Sequence, residues 1–466
     1  MKNTFHPSRY TALGLALSLL LLGGCATFSK DGGFDSVAQV TKDRIGKEVK
    51  PARTDDDTKA IDAAVKELLA KPLTVDDAVQ IALLKNRGLQ ATYAALGIAE
   101  ADLVQAGRLR NPGFDFKRTR QDSDVIIERT FTFNLINLLT LPLASKLEGQ
   151  RFEQVKLQVA NEVLRVAAET RRAYFEAVAA QQGVEYAKQV NSVAEAGAEL
   201  AGRMASAGNW SKLDQAREQT FYAEATVGLA RANKSAVATR EKLTRLMGLW
   251  GADIQFQLPD RLPDLPEQPL DIQNAESYAL EHRLDIQAAK QQSASVASSL
   301  GLTKTTRFIN ALDLGYVRNT ETGKSAAKGY EITVEIPLFD WGGARVAKAE
   351  AIYMQSVNQL AETAINARSE VRESYLAYRT DYDLAKHYRD NVVPLRKRIS
   401  DENLLRYNGM LISVFELLAD SREQVLSVTG YIDALKDYWI AETDLAAALG
   451  GQLPAATQAK TEGNQP

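Results

Sequence analysis

Tyr330-Glu331-Ile332-Thr333-Val334-Glu335-Ile336 places a polar residue at every second position and a large, mostly apolar one between. Side chains along a strand point alternately to opposite faces, so this stretch reads as a strand with one apolar and one polar surface. Val125 to Leu135 repeats the pattern, with Ile127, Phe131, Phe133 and Leu135 on one face and Glu128, Thr130, Thr132 and Asn134 on the other. Phe114 and Phe116 supply a partner strand in the first half of the chain, and Leu312, Leu314 and Tyr316 in the second, with Asn319 to Ala327 as a polar loop. Two-faced alternation over about ten residues fits a strand with lipid on one side and a water-filled lumen on the other. Four strands cannot close a barrel, for which about eight is the practical minimum, and open edges in lipid leave backbone groups unpaired. Lipid-facing strands therefore demand several copies of the chain, and three copies would bring twelve.

The strands are embedded in long helices. Val159, Val163, Val166, Thr170, Ala173, Ala177, Ala180, Val184 and Ala187 advance in steps of four and three, as do Val357, Leu360, Ala364, Ala367, Val371, Ser374 and Tyr378. That 3.5-residue period predicts left-handed coiled-coil packing, and the small Ala and Val side chains predict close approach of the partners. Leu164, Ala168 and Phe175 mark a second apolar face, so these helices need neighbours on both sides. Running from about Lys146 to Ala207 and from about Ala344 to Asn408, they would reach roughly 90 Å, with Pro394 as a kink in the second.

An internal repeat organises these elements. Leu73-Thr74-Val75-Asp76-Asp77-Ala78, Ala82-Leu83 and Leu89-Gln90-Ala91 fall on Leu270 to Ala275, Ala279-Leu280 and Ile286-Gln287-Ala288 at a constant offset of 197. Phe131 to Leu135 falls on Ile332 to Ile336, and Gly208 to Ser211 on the neighbourhood of Gly409 to Ser413. Each half reads as helix, two strands, long helix, turn and helix. The first helix of each runs from Thr74, as N-cap, to about Ala106, and from Asp271 to about Thr303. The expected divisions are a signal at 1–24, an N-terminal extension at 25–72, repeats at 73–257 and 270–451, a Pro-rich surface connector at 258–269 and a disordered tail at 452–466. Residues 26–56 read as extended or disordered chain.

Composition bounds the chemistry. The 466 residues are 45% apolar and 25% charged with a net charge of −3, which leaves no overall basic field for nucleic acid. One Cys and three His all but exclude His/Cys metal or nucleophile constellations. Lys2 and Arg9 precede an apolar run, Leu13 to Leu22, too short to span a membrane stably and of secretory type. It ends in Leu22-Gly23-Gly24-Cys25, which resembles a lipobox, so Cys25 is expected to be the lipid-bearing mature N-terminus. Ala26 stands where Asp would retain a lipoprotein in the inner membrane.

From about Leu73 to Gly450 the chain resembles the TolC-like outer membrane efflux proteins. The resemblance is carried by Leu73 to Ala78 with Ala82-Leu83, and by the strand exit Ile336-Pro337-Leu338-Phe339-Asp340-Trp341-Gly342-Gly343-Ala344-Arg345. Tyr407-Asn408-Gly409 with Ser413, Glu416, Leu417, Leu418 and Ala419 completes it. It implies a mainly α protein with a small transmembrane β part, trimerising into a twelve-strand barrel and a twelve-helix periplasmic tunnel. It also implies a passive exit duct whose tip docks on a periplasmic adaptor bound to an inner-membrane pump. No cofactor is implied beyond lipid on Cys25.

Aligned on Tyr407, the family's aperture acid falls on Glu416; the next falls on Ala419, with Asp420 one position away. The hairpin turns become the adaptor contacts, with Arg203, Gly208 and Trp210 in the first and Arg406, Gly409, Met410 and Leu411 in the second. The glycines are expected to end the helices. Trp341 is expected at the inner edge of the membrane.

Other classes fit less well. A secretion channel for proteins would share this architecture. A periplasmic adaptor would have one hairpin flanked by small β-domains, and a structural coiled-coil lipoprotein would lack alternating strands. His282 and His387 have no convergent partners in the sequence, which leaves an enzyme without a site, and four scattered Met and two His after Cys25 argue against a metal relay in the duct.

Overall fold

The computed structural model describes residues 27–308 and 311–453. The signal at 1–24, Cys25, Ala26 and residues 454–466 of the tail lie outside the described residues. The chain divides into two compact units, one of Met1–Val37, Tyr93–Val159 and Leu284–Ala364, the other of Ala38–Thr92, Ala160–Arg283 and Ile365–Pro466.

The first unit carries the sheet. Strands β1 (Gly113–Gln121), β2 (Asp124–Asn134), β3 (Leu312–Glu321) and β4 (Ala327–Val334) pair in the order β1-β2-β3-β4, each pair antiparallel. The ladder aligns Phe114 with Phe131, Phe131 with Tyr316 and Tyr316 with Tyr330. Each expected alternation is therefore realised in register, and the Phe114 and Phe131 rings meet at 4.7 Å. Three boundaries differ from expectation, the first being that β4 ends at Val334 and leaves Glu335 and Ile336 outside the strand. The ladder continues through Asn319 to Glu321, which shortens the loop to residues 322–326, and Leu135 leaves the strand to begin a helix.

In the second unit, helix α3 (Val75–Lys85) starts on a reciprocal cap. Asp77 N donates to Thr74 Oγ1 at 3.1 Å and Thr74 N donates back to the Asp77 carboxylate at 3.3 Å. Burial pushes that carboxyl up, but hydrogen bonds from Thr74 and Lys71 outweigh it and leave it below the usual range. Helix α4 (Arg87–Ala106) follows after a break at Asn86, whose side chain accepts from Leu89 N at 2.9 Å and donates to Leu246 O at 2.8 Å.

The single expected helix is thus two, and so is its counterpart: α7 (Ala275–His282) and α8 (Leu284–Thr306) part at Arg283. Asn86 and Arg283 are 197 apart, the offset of the repeat. Both take extended ψ values, 117° and 128°, and this breaks the ladder at the same place in each half. The start of the second copy lies later than Asp271, because Asn274 takes a left-handed conformation before Ala275.

The segment 26–56, expected to be extended, contains helix α1 (Phe34–Ile45) and the start of helix α2 (Asp55–Leu69). Its polarity is that of helices that bury only one narrow face. Thr54 and Asp57 form a capping box, and Ile61 and Val65 are buried. In the first unit Phe34 packs edge-on against Tyr93, with centroids 5.1 Å apart, and Ser29 N donates to the buried Glu100 at 2.6 Å.

Helix α5 (Leu135–Ser206) runs for 72 residues, beginning eleven residues before the expected Lys146 and carrying Pro142 within it. Its seam is buried at Val159, Val163, Val166, Thr170, Ala173, Ala177 and Val184. The second face is partly covered within the chain: Phe175 stacks on Trp439 at 5.5 Å, and Leu164 is buried near Gly451. Helix α6 (Lys212–Met247) returns from the tip.

In the second repeat, α9 (Gly343–His387) passes into a π turn at Tyr388–Val392 and then α10 (Val393–Asn408). Val393 N donates to Tyr388 O across the π turn, and Pro394, which has no N–H to give, follows directly in the first turn of α10. Helix α11 (Val414–Ala448) returns.

The Pro-rich connector is more than a surface link, because Leu258, Leu262 and Leu265 are buried. Its carbonyls are also taken up. Trp439 Nε1 donates to Pro263 O at 3.1 Å, the Tyr382 hydroxyl to Pro266 O at 3.1 Å, and Arg389 Nη1 to Leu265 O at 3.3 Å. Prolines cannot donate, so the side chains of α9, the π turn and α11 supply the donors.

Candidate functional site at the helical tips

Two hairpin turns form the ends of the long helices. In the first, Gly208 takes φ +78° after α5, Asn209 N donates to Met204 O at 2.9 Å, and Ser211 caps α6 by accepting from Asp214 N at 3.1 Å. In the second, Leu411 N donates to Arg406 O at 2.8 Å and Ser413 caps α11 by accepting from Glu416 N at 3.3 Å. Ser211 and Ser413 are 202 apart, and so are Gly208 and Met410.

The left-handed position in the second turn is therefore Met410, with φ +58°, while the expected Gly409 has φ −81°. An unbranched residue in that region costs of order 1–3 kcal/mol, which the turn must absorb. Met410 and Leu411 are 94% and 77% exposed, an apolar pair at the extreme of the turn. Trp210 is half-buried, and Arg203 and Arg406 are held by Glu199 and Glu402 one turn back on their own helices.

Glu416 has a local role that the sequence reading had not assigned. It is the third residue of α11, and its carboxylate accepts from Ser413 N at 3.2 Å, closing a capping box. Asp420 follows one turn later on the same helix face. Its Oδ2 is buried without a hydrogen-bond partner among the described residues.

A pair that sequence reasoning missed sits just behind. Glu218 of α6 is 1% exposed and accepts from Arg422 Nη2 of α11 at 2.6 Å, and the guanidinium lies 4.6 Å from the Phe221 ring centre. Gly197 of α5 leaves the space: a Cβ there would stand 3.5 Å from Leu418 and 3.7 Å from Glu218. Three helices converge on one buried ion pair. The available signal was spacing, since Glu218 stands seven residues before the buried Ala225 and so occupies the inward stripe.

The same three helices border a groove of about 820 Å³, lined by Ala180, Gly183, Phe221, Gly228, Leu426 and Ile432. Seam residues Ala180 and Ala187 face it, which is where the α5 coil opens. Between α9 and α11, burial pushes the Asp381 carboxyl up and the nearby Asp437 adds to it. The histidines have local partners: His282 stacks on Tyr278 at 4.0 Å, and His387 contacts Asn391 at 3.3 Å.

Two strands precede each long helical hairpin, twice in one chain, and capped turns mark where the hairpins reverse. Residues 276–451 match the family model described as Outer membrane efflux protein. The cobalt-zinc-cadmium resistance protein CzcC of Cupriavidus metallidurans is 24% identical over 306 residues, 62% of this chain and 68% of that protein. The solved structure of a membrane protein from Pseudomonas aeruginosa shares the fold with a TM-score of 0.70 at 21% identity, covering 81% of this chain and 92% of that one. The outer membrane channel CmeC of Campylobacter jejuni does so with a TM-score of 0.70 at 17% identity, covering 87% and 89%. Residues 276–451, within the second repeat, thus carry the outer membrane efflux protein domain, and the chain as a whole shares the fold of solved outer membrane channels. The similarities are to efflux channels rather than to enzymes.

Proposed function

We propose that the chain assembles as a homotrimer and serves as the passive exit duct of a tripartite efflux system, receiving solute from an inner-membrane pump through a periplasmic adaptor. The observation that carries this reading is the two-faced sheet, whose outer strands β1 and β4 each keep an edge with no partner strand among the described residues. Those edges must be paired in lipid, and further copies of the same four strands pair them while keeping one face apolar and the other wet. Among the described residues no helix is long and apolar enough to cross a membrane, so spanning falls to the strands.

The exposed apolar turn of Met410 and Leu411, with Trp210 in the companion turn, is the adaptor contact, and Glu416 with Asp420 lines the aperture. Cys25 carries the lipid anchor. The pump selects the solute, and the kinship to CzcC adds divalent metal ions to the solutes worth testing.

Purified from membranes in detergent, the protein should migrate as a heat-modifiable trimer and conduct ions in planar bilayers; a monodisperse, non-conducting monomer would overturn the proposal. Glu416→Gln removes one negative charge per copy from the aperture and should raise single-channel conductance severalfold. A variant with unchanged conductance would leave Glu416 as a helix cap alone.

A further inference from the structure

The register of the sheet sorts charge as sharply as it sorts hydrophobicity. On the apolar face, Phe133, Leu314 and Ile332 lie abreast, and Phe114, Phe131, Tyr316 and Tyr330 form the next row. Two residues further from the helices the row is Phe116, Arg129, Arg318 and Lys328. Arg118 and Arg120 follow along the same face of β1, opposite Ile127 and Val125. The strands place no acid on this face. Asp115, Asp124, Glu128, Asp313, Glu321 and Glu331 all point the other way, as the Lys117–Glu128 contact at 3.4 Å and the Asn134–Asp313 hydrogen bond at 2.8 Å attest.

Arg129, Arg318 and Lys328 are thus neighbours across the ladder, with backbones about 5 Å apart. No ion pair reaches them among the described residues; the one contact is Arg129 over the Phe116 ring at 6.0 Å. Three like charges abreast repel one another unless an anion lies across them. The row sits about 7 Å beyond the tyrosines, between the apolar band and the hairpin turns at 122–123 and 322–326. In a barrel whose helices lie in the periplasm, that is the headgroup level of the outer leaflet.

We infer that Arg129, Arg318 and Lys328, extended by Arg118, form a binding site for a phosphate-bearing glycolipid of the outer leaflet. The inference rests on the barrel reading above. A headgroup with two phosphates matches three cations in one row, whereas a glycerophospholipid offers a single phosphate, and aliphatic and aromatic rows below receive the acyl chains.

The test uses the full-length trimer in nonionic detergent, with native mass spectrometry and a fluorescent diphosphoryl lipid A displaced by unlabelled competitors. Wild type should bind diphosphoryl lipid A at least ten-fold more tightly than its dephosphorylated form or phosphatidylglycerol, with affinity falling as salt rises. The triple variant Arg129→Gln, Arg318→Gln, Lys328→Gln should lose at least ten-fold, and Lys117→Gln on the opposite face should lose nothing. Equal binding by the triple variant, or equal displacement by phosphatidylglycerol, overturns the inference. If the triple variant fails to assemble, the salt titration of the wild type decides, because salt-insensitive binding overturns it as well. A conducting trimer that binds no lipid A sinks this inference and leaves the exit duct standing, whereas a monomer without conductance sinks both.

Discussion

Glu218→Ala should detach α11 from the first hairpin near the tip. The substitution leaves Arg422 without its carboxylate in a mostly buried position, where Glu218 is 1% exposed and the Arg422 side chain 29%. Removing one member of a buried pair costs about 3–5 kcal/mol, and the partial exposure of Arg422 places the expected loss near the lower end. Hydrogen exchange should therefore speed up by about two orders of magnitude at amides flanking residue 422, while amides around Leu83 and Leu89 keep their protection. The paired replacement Glu218→Leu with Arg422→Met should recover most of the loss, since it removes both charges and fills the space beside Phe221 and Leu418. Unchanged exchange in Glu218→Ala would mean that the pair contributes nothing to holding these helices together.

The second large effect is expected at the exit from the sheet. Gly342 has φ +74°, and a Cβ built on it would stand 2.6 Å from the backbone oxygen of Arg307, an atom that cannot swing away. Strain in that conformation and the clash together amount to roughly 2–5 kcal/mol. Gly342→Ala should sharply reduce the fraction of protein that reaches the heat-modifiable form. Its neighbour provides the control, because a Cβ at Gly343 meets nothing within 4 Å. Equal assembly of the two variants would show that the close approach to Arg307 is dispensable. Phe308 and Trp341 meet edge-on at 6.3 Å beside this contact, which ties the Trp341 turn to the end of α8.

Much of the fold is legible because its signals are local or periodic. The period of two in β2 and β4, the Thr74 cap and the 197-residue offset depend only on nearby residues or on self-similarity, and each has its counterpart in the structure. The breaks at Asn86 and Arg283 are not legible, because apolar spacing runs straight across them; packing fixes them, in the first half through the Asn86 bond to Leu246 O. The N-terminal helices carry a readable sign in Thr54 and Asp57, but their overall polarity masks how few apolar side chains a surface helix needs.

At the tips, Gly208 marks its turn by composition, whereas Met410 takes the left-handed position with a residue that gives no hint of it. Glu218 and Arg422 are hidden differently. Each reads as an ordinary solvated charge until the three-helix junction places them together.

The two tips of one chain thus solve the same backbone problem with different residues, a glycine in one and a strained methionine in the other. A ring assembled from identical copies presents these ends in strict alternation, so its rotational symmetry equals the number of copies and never twice that number. A partner gripping the rim meets two inequivalent clefts, and it can tell them apart by the side chain of Met410 at the outermost position of one turn, where the other has the bare backbone of Gly208.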